Sequence, residues 1–233
     1  MPELERYKRQ MMLQNFGEEA QRKLLDSKVL VVGVGGLGGI SSQYLVAAGI
    51  GCVGIVDKDE VSLHNLQRQV LYREDMIGQS KVRMAEQSLR RLNSDVSIEA
   101  YECFLTQDNA QEIIAKYDIV IDGTDNYQTR CIIDTYCRQL GKPFIFGAIG
   151  EMQGQICVFN YGDNPAHYTN LFPNEPKQQN PPAVMGVLPS VVASMQVNEA
   201  IKIITNTGTI MKDTLCIIDL KTLEITKFQI KHH

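Results

Sequence analysis

No apolar run in this chain is long enough to span a bilayer, and the opening MPELERYKRQ does not read as a signal peptide. A positive excess is missing too. The formal net charge of -4 gives no support to a general nucleic-acid surface. Paired cysteines are also lacking: the six, at 52, 103, 131, 137, 157 and 216, lie scattered and read as reduced core thiols rather than a disulfide framework. Neither an internal repeat nor a clear linker divides the 233 residues. These absences predict a cytoplasmic protein with one domain over 1–233, and 44% hydrophobic residues supply an ordinary globular core.

What is present begins at Val29–Val32, an unbroken aliphatic run suited to a strand buried on both faces. Gly33-Val34-Gly35-Gly36-Leu37-Gly38 follows at once, and Ile40–Ala48 reads as a helix. A glycine-rich turn there lets backbone N–H groups approach a phosphate at the positive end of the helix dipole. A second strand, Cys52–Val56, ends in Asp57, close to the spacing of about 20 residues expected for an acid that binds ribose hydroxyls. Strand, turn, helix, strand and acid in that order predict a nucleotide site. A dehydrogenase could stop at Asp57, but this chain continues with Asp59, His64, Asn65, Leu66, Gln67, Arg68 and Gln69, then Lys81 after a turn at Gly78. Arg68 and Lys81 near the acid suggest a triphosphate, although solvated surface charge is the plainer use of either residue.

Downstream, 82–92 reads as a helix, 96–101 as a strand, 110–117 as a short helix and 118–122 as a buried strand. This β-α-β rhythm predicts a Rossmann-like, mostly parallel α/β sheet with helices on both faces. Thr124-Asp125-Asn126 falls just past a strand's carboxyl end, where ligands of open α/β sheets sit. Asp125 or Asn126 could equally cap the helix at 127–140. Strands at 144–148 and 155–160, then 215–220 and 224–230, continue the sheet in antiparallel fashion, with a helix at 186–206 between the pairs. Residues 161–182 carry five prolines and little periodicity, and are expected to be a long functional or disordered loop. Residues 1–26 form a helical arm.

GVGGLG, VDKDEVSLHNLQRQ, Lys81 and Thr124-Asp125-Asn126 together resemble the ThiF/MoeB/HesA family, the bacterial relatives of ubiquitin-activating enzymes, over nearly the whole chain. The resemblance implies ATP-dependent adenylation of the C-terminal glycine of a small ubiquitin-like sulfur carrier ending in Gly-Gly. ATP would be held by Gly33, Gly35, Gly36, Gly38, Asp57, Asp59, His64, Asn65, Leu66, Gln67, Arg68, Lys81, Asp125 and Asn126. Catalysis would fall to Asp125, Arg68, Lys81 and Arg9, with Asp125 holding Mg²⁺ and Arg130 one helical turn beyond it. Arg9 would cross a homodimer interface to the partner's phosphates; a plain surface arginine is the alternative. The chain departs from the family in lacking the two Cys-x-x-Cys pairs that hold a structural zinc, and in placing His64 where serine is common. The zinc-free tail and PPAVMGVLPSVVAS point to the thiamine-pathway branch, acting on a ThiS-like carrier, with a molybdopterin-type carrier open. No cysteine lies in 161–182, and Cys103 is remote in sequence from every phosphate-binding candidate. The chemistry is therefore expected to stop at the acyl-adenylate, with sulfur from a separate donor. Activation of a tRNA-borne or peptide carboxylate, an NAD-dependent oxidoreductase and a non-catalytic nucleotide-binding module are the competing readings.

Overall fold

The computed structural model describes residues 2–174 and 183–230. Eight strands form one sheet in the order β3-β2-β1-β4-β5-β6-β7-β8. They are β1 (Lys28–Val32), β2 (Cys52–Val56), β3 (Ser97–Tyr101), β4 (Ile119–Asp122), β5 (Phe144–Gly150), β6 (Gln153–Phe159), β7 (Thr214–Asp219) and β8 (Glu224–Gln229). The strands from β3 across to β5 pair in parallel, and β6, β7 and β8 are added antiparallel. This is the predicted sheet, and its boundaries shift by only a residue or two.

The α-helices are α1 (Lys8–Met11), α2 (Gly17–Leu25), α3 (Gly36–Ala48), α4 (Lys81–Leu92), α5 (Ala110–Ile114), α6 (Tyr127–Leu140), α7 (Tyr168–Leu171) and α8 (Leu188–Thr205). The strands' two faces feed two cores. Val29, Val31, Val53, Ile55, Ile119 and Ile121 pack with α3, α4 and α8. Leu30, Val32, Val56 and Val120 pack with α5 and α6 on the other side. That explains the unbroken aliphatic runs: a strand covered on both faces has no solvent side to mark with polar residues.

The stretch expected to be a loop is partly packed structure. Asp134, 1% exposed on α6, accepts hydrogen bonds from the backbone of Tyr168 (3.0 Å) and Thr169 (3.0 Å) and from the Thr169 hydroxyl (2.8 Å). It thereby satisfies the free N–H groups at the start of α7. Tyr168 and Phe172 then join Phe144, Phe146 and Phe159 in an aromatic cluster with ring centroids 5.0–6.1 Å apart. The anchors are spread along 134–172, so no local periodicity announces them. Residues 175–182 of that stretch lie outside the described residues.

β1 and its neighbours β2 and β4 run side by side, yet their crossovers leave toward opposite ends of the sheet. Between β1 and β4 the strand order reverses, and a crevice opens above their carboxyl ends at such a point.

Candidate active site

The crevice is a cleft of about 170 Å³, open to solvent on one side. Its floor is the glycine turn after β1. Gly33 has φ +83°, and a side chain there would come within 2.9 Å of the Gly123 carbonyl. A Cβ on Gly38 would come within 1.8 Å of the Gly33 carbonyl. These two glycines let the turn, the first turn of α3 and the end of β4 touch backbone to backbone. Gly35 and Gly36 face the cleft itself, whereas Gly38 does not line it. No side chain caps the start of α3, so its first N–H groups and its dipole are available to an anion.

Asp57, at the end of β2, holds this turn from the side. One carboxylate oxygen accepts from the Val34 N–H (2.8 Å) and the other from the Asp59 N–H (2.8 Å). Burial pushes its carboxyl above the usual aspartate range, against the pull of those two N–H groups and of Lys81. The Tyr72 hydroxyl donates to the Val34 carbonyl at 2.7 Å and completes the brace. A carboxylate has about four lone-pair positions, so two remain unused on Asp57.

The two cations lie where the sequence implied. Arg68 lines the cleft, half-buried, and donates to the His64 carbonyl at 3.1 Å. Lys81 opens α4, is buried along its stem and pairs with Asp59 at 2.9 Å. Across the cleft, Asn126 caps α6 by accepting from the Thr129 N–H at 2.8 Å. That settles which of the adjacent pair caps the helix. Asp125 is left exposed at the cleft wall with no partner among the described residues. Beneath it, Arg130 does not reach the cleft. It donates to Asp122 (2.8 Å) and to the Thr124 (2.7 Å) and Gly147 (3.2 Å) carbonyls, while Asp122 also accepts from the Thr124 N–H (2.8 Å) and hydroxyl (2.6 Å). Burial alone would lower the guanidinium's pKa, but Asp122 and Tyr168 together outweigh it and the net direction is upward. The pair fixes the Gly123–Asp125 loop from below.

His64, Asn65, Leu66 and Gln67 do not line the cleft. Asn65 is buried and closes a reciprocal capping box with Ser62 around the 3-10 turn Leu63–Asn65. Its carbonyl accepts from the Arg68 and Gln69 N–H groups, so it aims the arginine rather than facing the cleft. Leu66 packs on the core and the Gln67 backbone lies against Gly186. Arg9 is exposed on α1 and stands outside its own chain's cleft, while neighbouring Gln10 ties the arm to the Ala48 carbonyl at 3.0 Å.

The sequence reading missed several lining residues, Lys58, Cys103, Phe104, Leu105, Gly123, Thr129 and Ile149, and gave no role to Gln69 or Thr124, which it had singled out. A rule that names the residues after every parallel strand, not only after β1, β2 and β4, finds 102–105 as well. Cys103 is remote in sequence but not in space. Its thiol is pushed up by burial, with Lys58 acting in the opposite sense. Among the described residues no group of three or more His, Cys, Asp and Glu side chains could hold a metal unaided. A single free carboxylate does suit Mg²⁺, which keeps waters and takes most protein-side ligation from one or two carboxylates beside substrate phosphates.

Residues 7–233 match the ThiF family. A sulfur carrier protein adenylyltransferase from Thermus thermophilus is 41% identical over 99% of this chain and 89% of its own length. A probable molybdopterin-synthase adenylyltransferase from Porphyra purpurea is 38% identical over the whole chain, which spans 62% of that protein. Among solved structures, E. coli MccB with MccA-N7isoASN superposes with a TM-score of 0.87 over 99% of this chain and 72% of that one, at 20% identity, a likeness of fold. No described helix is long and apolar enough to cross a membrane. With a family match over almost its full length, this chain belongs to the ThiF family.

Proposed function

We propose that this protein is an adenylyltransferase that uses ATP to activate the C-terminal glycine carboxylate of a small ubiquitin-like sulfur-carrier protein. The observation that carries the reading is convergence on one cleft. The uncapped start of α3, Arg68, Lys81 and the unpartnered Asp125 all face it. The relatives named for sulfur-carrier and molybdopterin-synthase adenylylation support the substrate class.

In the reaction a carboxylate oxygen attacks the α-phosphorus, and the bond from that phosphorus to the bridging oxygen breaks. Acyl-adenylate and pyrophosphate result. Two anions must meet and further charge develops on the phosphoryl oxygens, so preorganised positive charge is the main catalytic device. Gly35, Gly36 and the α3 N–H groups would cradle the phosphates, with Asp57 on the ribose. Arg68 would neutralise the reacting phosphoryl group. Lys81 is steered by Asp59 and would meet the leaving pyrophosphate. Mg²⁺, held by Asp125 and the nucleotide, would supply further charge neutralisation. Arg9 would arrive from a second subunit, since in its own chain it stands outside the cleft; the unit is then a homodimer. Phe104 and Leu105 offer an apolar seat for the base.

The carrier is of the ThiS type, on the strength of the missing zinc cysteines, with a MoaD-type carrier as the second choice. Six free thiols suit the cytoplasm. ATP–pyrophosphate exchange tests the reading. Label should enter ATP only when a carrier with an intact terminal glycine is present, and faster with its own carrier type. Exchange with neither carrier type would sink it.

A further inference from the structure

Three cations lie close together on the N-terminal arm, and two of them are spent. Arg6 donates to the Leu92 carbonyl (3.3 Å) and Lys8 pairs with Glu5 (3.5 Å). Arg9 is exposed and has no hydrogen-bond or ion-pair partner among the described residues. Its neighbours Tyr7 and Gln10 do the opposite. The Tyr7 ring is buried in a notch over Gly49, where a Cβ would come within 2.5 Å of it, and its hydroxyl accepts from the Asn93 amide at 2.9 Å. The same amide donates to the Val46 carbonyl at 3.0 Å. Gln10 and the buried Gln21 each donate to the Ala48 carbonyl at 3.0 Å, and Gln10 also donates to Gln21. Together these side chains bond the carbonyls at the end of α3, where helical partners run out.

Residues three apart share a helix face, so anchoring Tyr7 and Gln10 turns Arg9 to the other side. α3 has 13 residues and is therefore roughly 20 Å long. The arm grips its carboxyl end, whereas the phosphate turn lies at its amino end, farther off than an arginine side chain reaches. Met12 and Leu13, both exposed, follow Arg9 and leave an apolar surface beside it. We propose that Tyr7 and Gln10 are positioning residues: they latch the arm to α3 so that Arg9 is held out for the phosphates in the cleft of a second copy of this chain. The proposal rests on the homodimer reading above and adds the device that aims its arginine. A fixed backbone leaves only side-chain freedom to be lost when the guanidinium meets phosphate.

Tyr7→Ala should lower kcat for carrier-dependent pyrophosphate exchange roughly tenfold or more, because small misplacements of a catalytic group are that costly. Rescue in trans separates aiming from support of the fold. In mixed dimers of Tyr7→Ala and Asp125→Ala subunits, the intact cleft of the first meets the latched Arg9 of the second, and each dimer should show about half the wild-type kcat. A defect confined to the variant's own chain would leave the mixture as poor as the Tyr7→Ala homodimer, and that result overturns the proposal. So would a Tyr7→Ala homodimer with near-wild-type kcat. Gln10→Ala removes only half-buried atoms and should show a smaller loss with the same rescue. It carries the test if Tyr7→Ala does not fold, and a loss without rescue there counts equally against the latch. If mixed Arg9→Ala and Asp125→Ala subunits do not recover activity, the trans reading fails and this one with it; recovery there without recovery here sinks this one alone.

Discussion

Replacing Arg130 with methionine should cost far more stability than its place outside the cleft suggests. Asp122 is fully buried and the Arg130 side chain 14% exposed, so the variant leaves an ionised carboxylate in the core with its counter-charge gone. Breaking a buried pair on one side costs about 3–5 kcal/mol. The Thr124 and Gly147 carbonyls lose their donor as well, although the cleft can hydrate the first. A loss of about 4 kcal/mol corresponds to a fall of about 10 °C in melting temperature for a chain of this size. The double variant Asp122→Asn, Arg130→Met removes the stranded charge and keeps an acceptor for the Thr124 N–H. It should recover at least about 2 kcal/mol, because buried pairs are often replaceable as pairs but not singly. Urea unfolding of the ligand-free protein, followed by circular dichroism, reads all three proteins. A loss under about 1 kcal/mol for Arg130→Met, or a double variant no more stable than the single, would refute the view that this pair props the Asp125 loop.

How far the sequence revealed the molecule depends on whether each interaction is local. Strands at 29–32, 52–56 and 119–122 were legible because burial on both faces writes itself as an unbroken aliphatic run. Asp57 and the glycine turn were legible because a strand–turn–helix unit brings them together within one crossover. Asn65 stands back from the cleft for an instructive reason. It sits inside the sequence signal for the phosphate site, but its side chain closes a capping box and its carbonyl aims Arg68. The helix at 168–171 was invisible because Asp134, which caps it, lies more than thirty residues earlier. Phe104 and Cys103 reach the cleft only because β3 pairs beside β2, a choice of neighbour that no spacing within 97–105 encodes.

The remaining predictions concern chemistry. Arg68→Ala should lower carrier-dependent pyrophosphate exchange ~100-fold or more, the weight of one donor to developing charge, with the fold intact by circular dichroism; near-normal exchange would remove it from the phosphates. Mixed dimers of Arg9→Ala and Asp125→Ala subunits, each inactive alone, should regain activity from one composite site, and verified heterodimers without recovery would end the trans role. Burial raises the Asp57 pKa, so its protonation on acidification starts above the ordinary aspartate range and removes acceptors for ribose. ATP affinity should therefore weaken as pH falls through that raised value, and a profile unchanged in Asp57→Asn would show that another group titrates. The last prediction is that no cysteine captures the activated acyl group. Burial pushes the Cys137, Cys157 and Cys216 thiols up, leaving them protonated and inert. Cys103 does line the cleft, so position decides its case. It follows β3, two strands from β1, which places it roughly 10 Å from the glycine turn at 4.7–4.9 Å per strand. On the proposed reading the acyl-adenylate would form at that turn, and the Cys103 thiol is itself shifted upward by burial. Attack would need a thiolate that the site disfavours, across a gap that the base would occupy. Mass spectrometry of protein, carrier and ATP under non-reducing conditions should find carrier-adenylate and no protein adduct. A thiol-labile adduct that disappears in Cys103→Ser would show that the base end of the cleft opens to the acyl group after all.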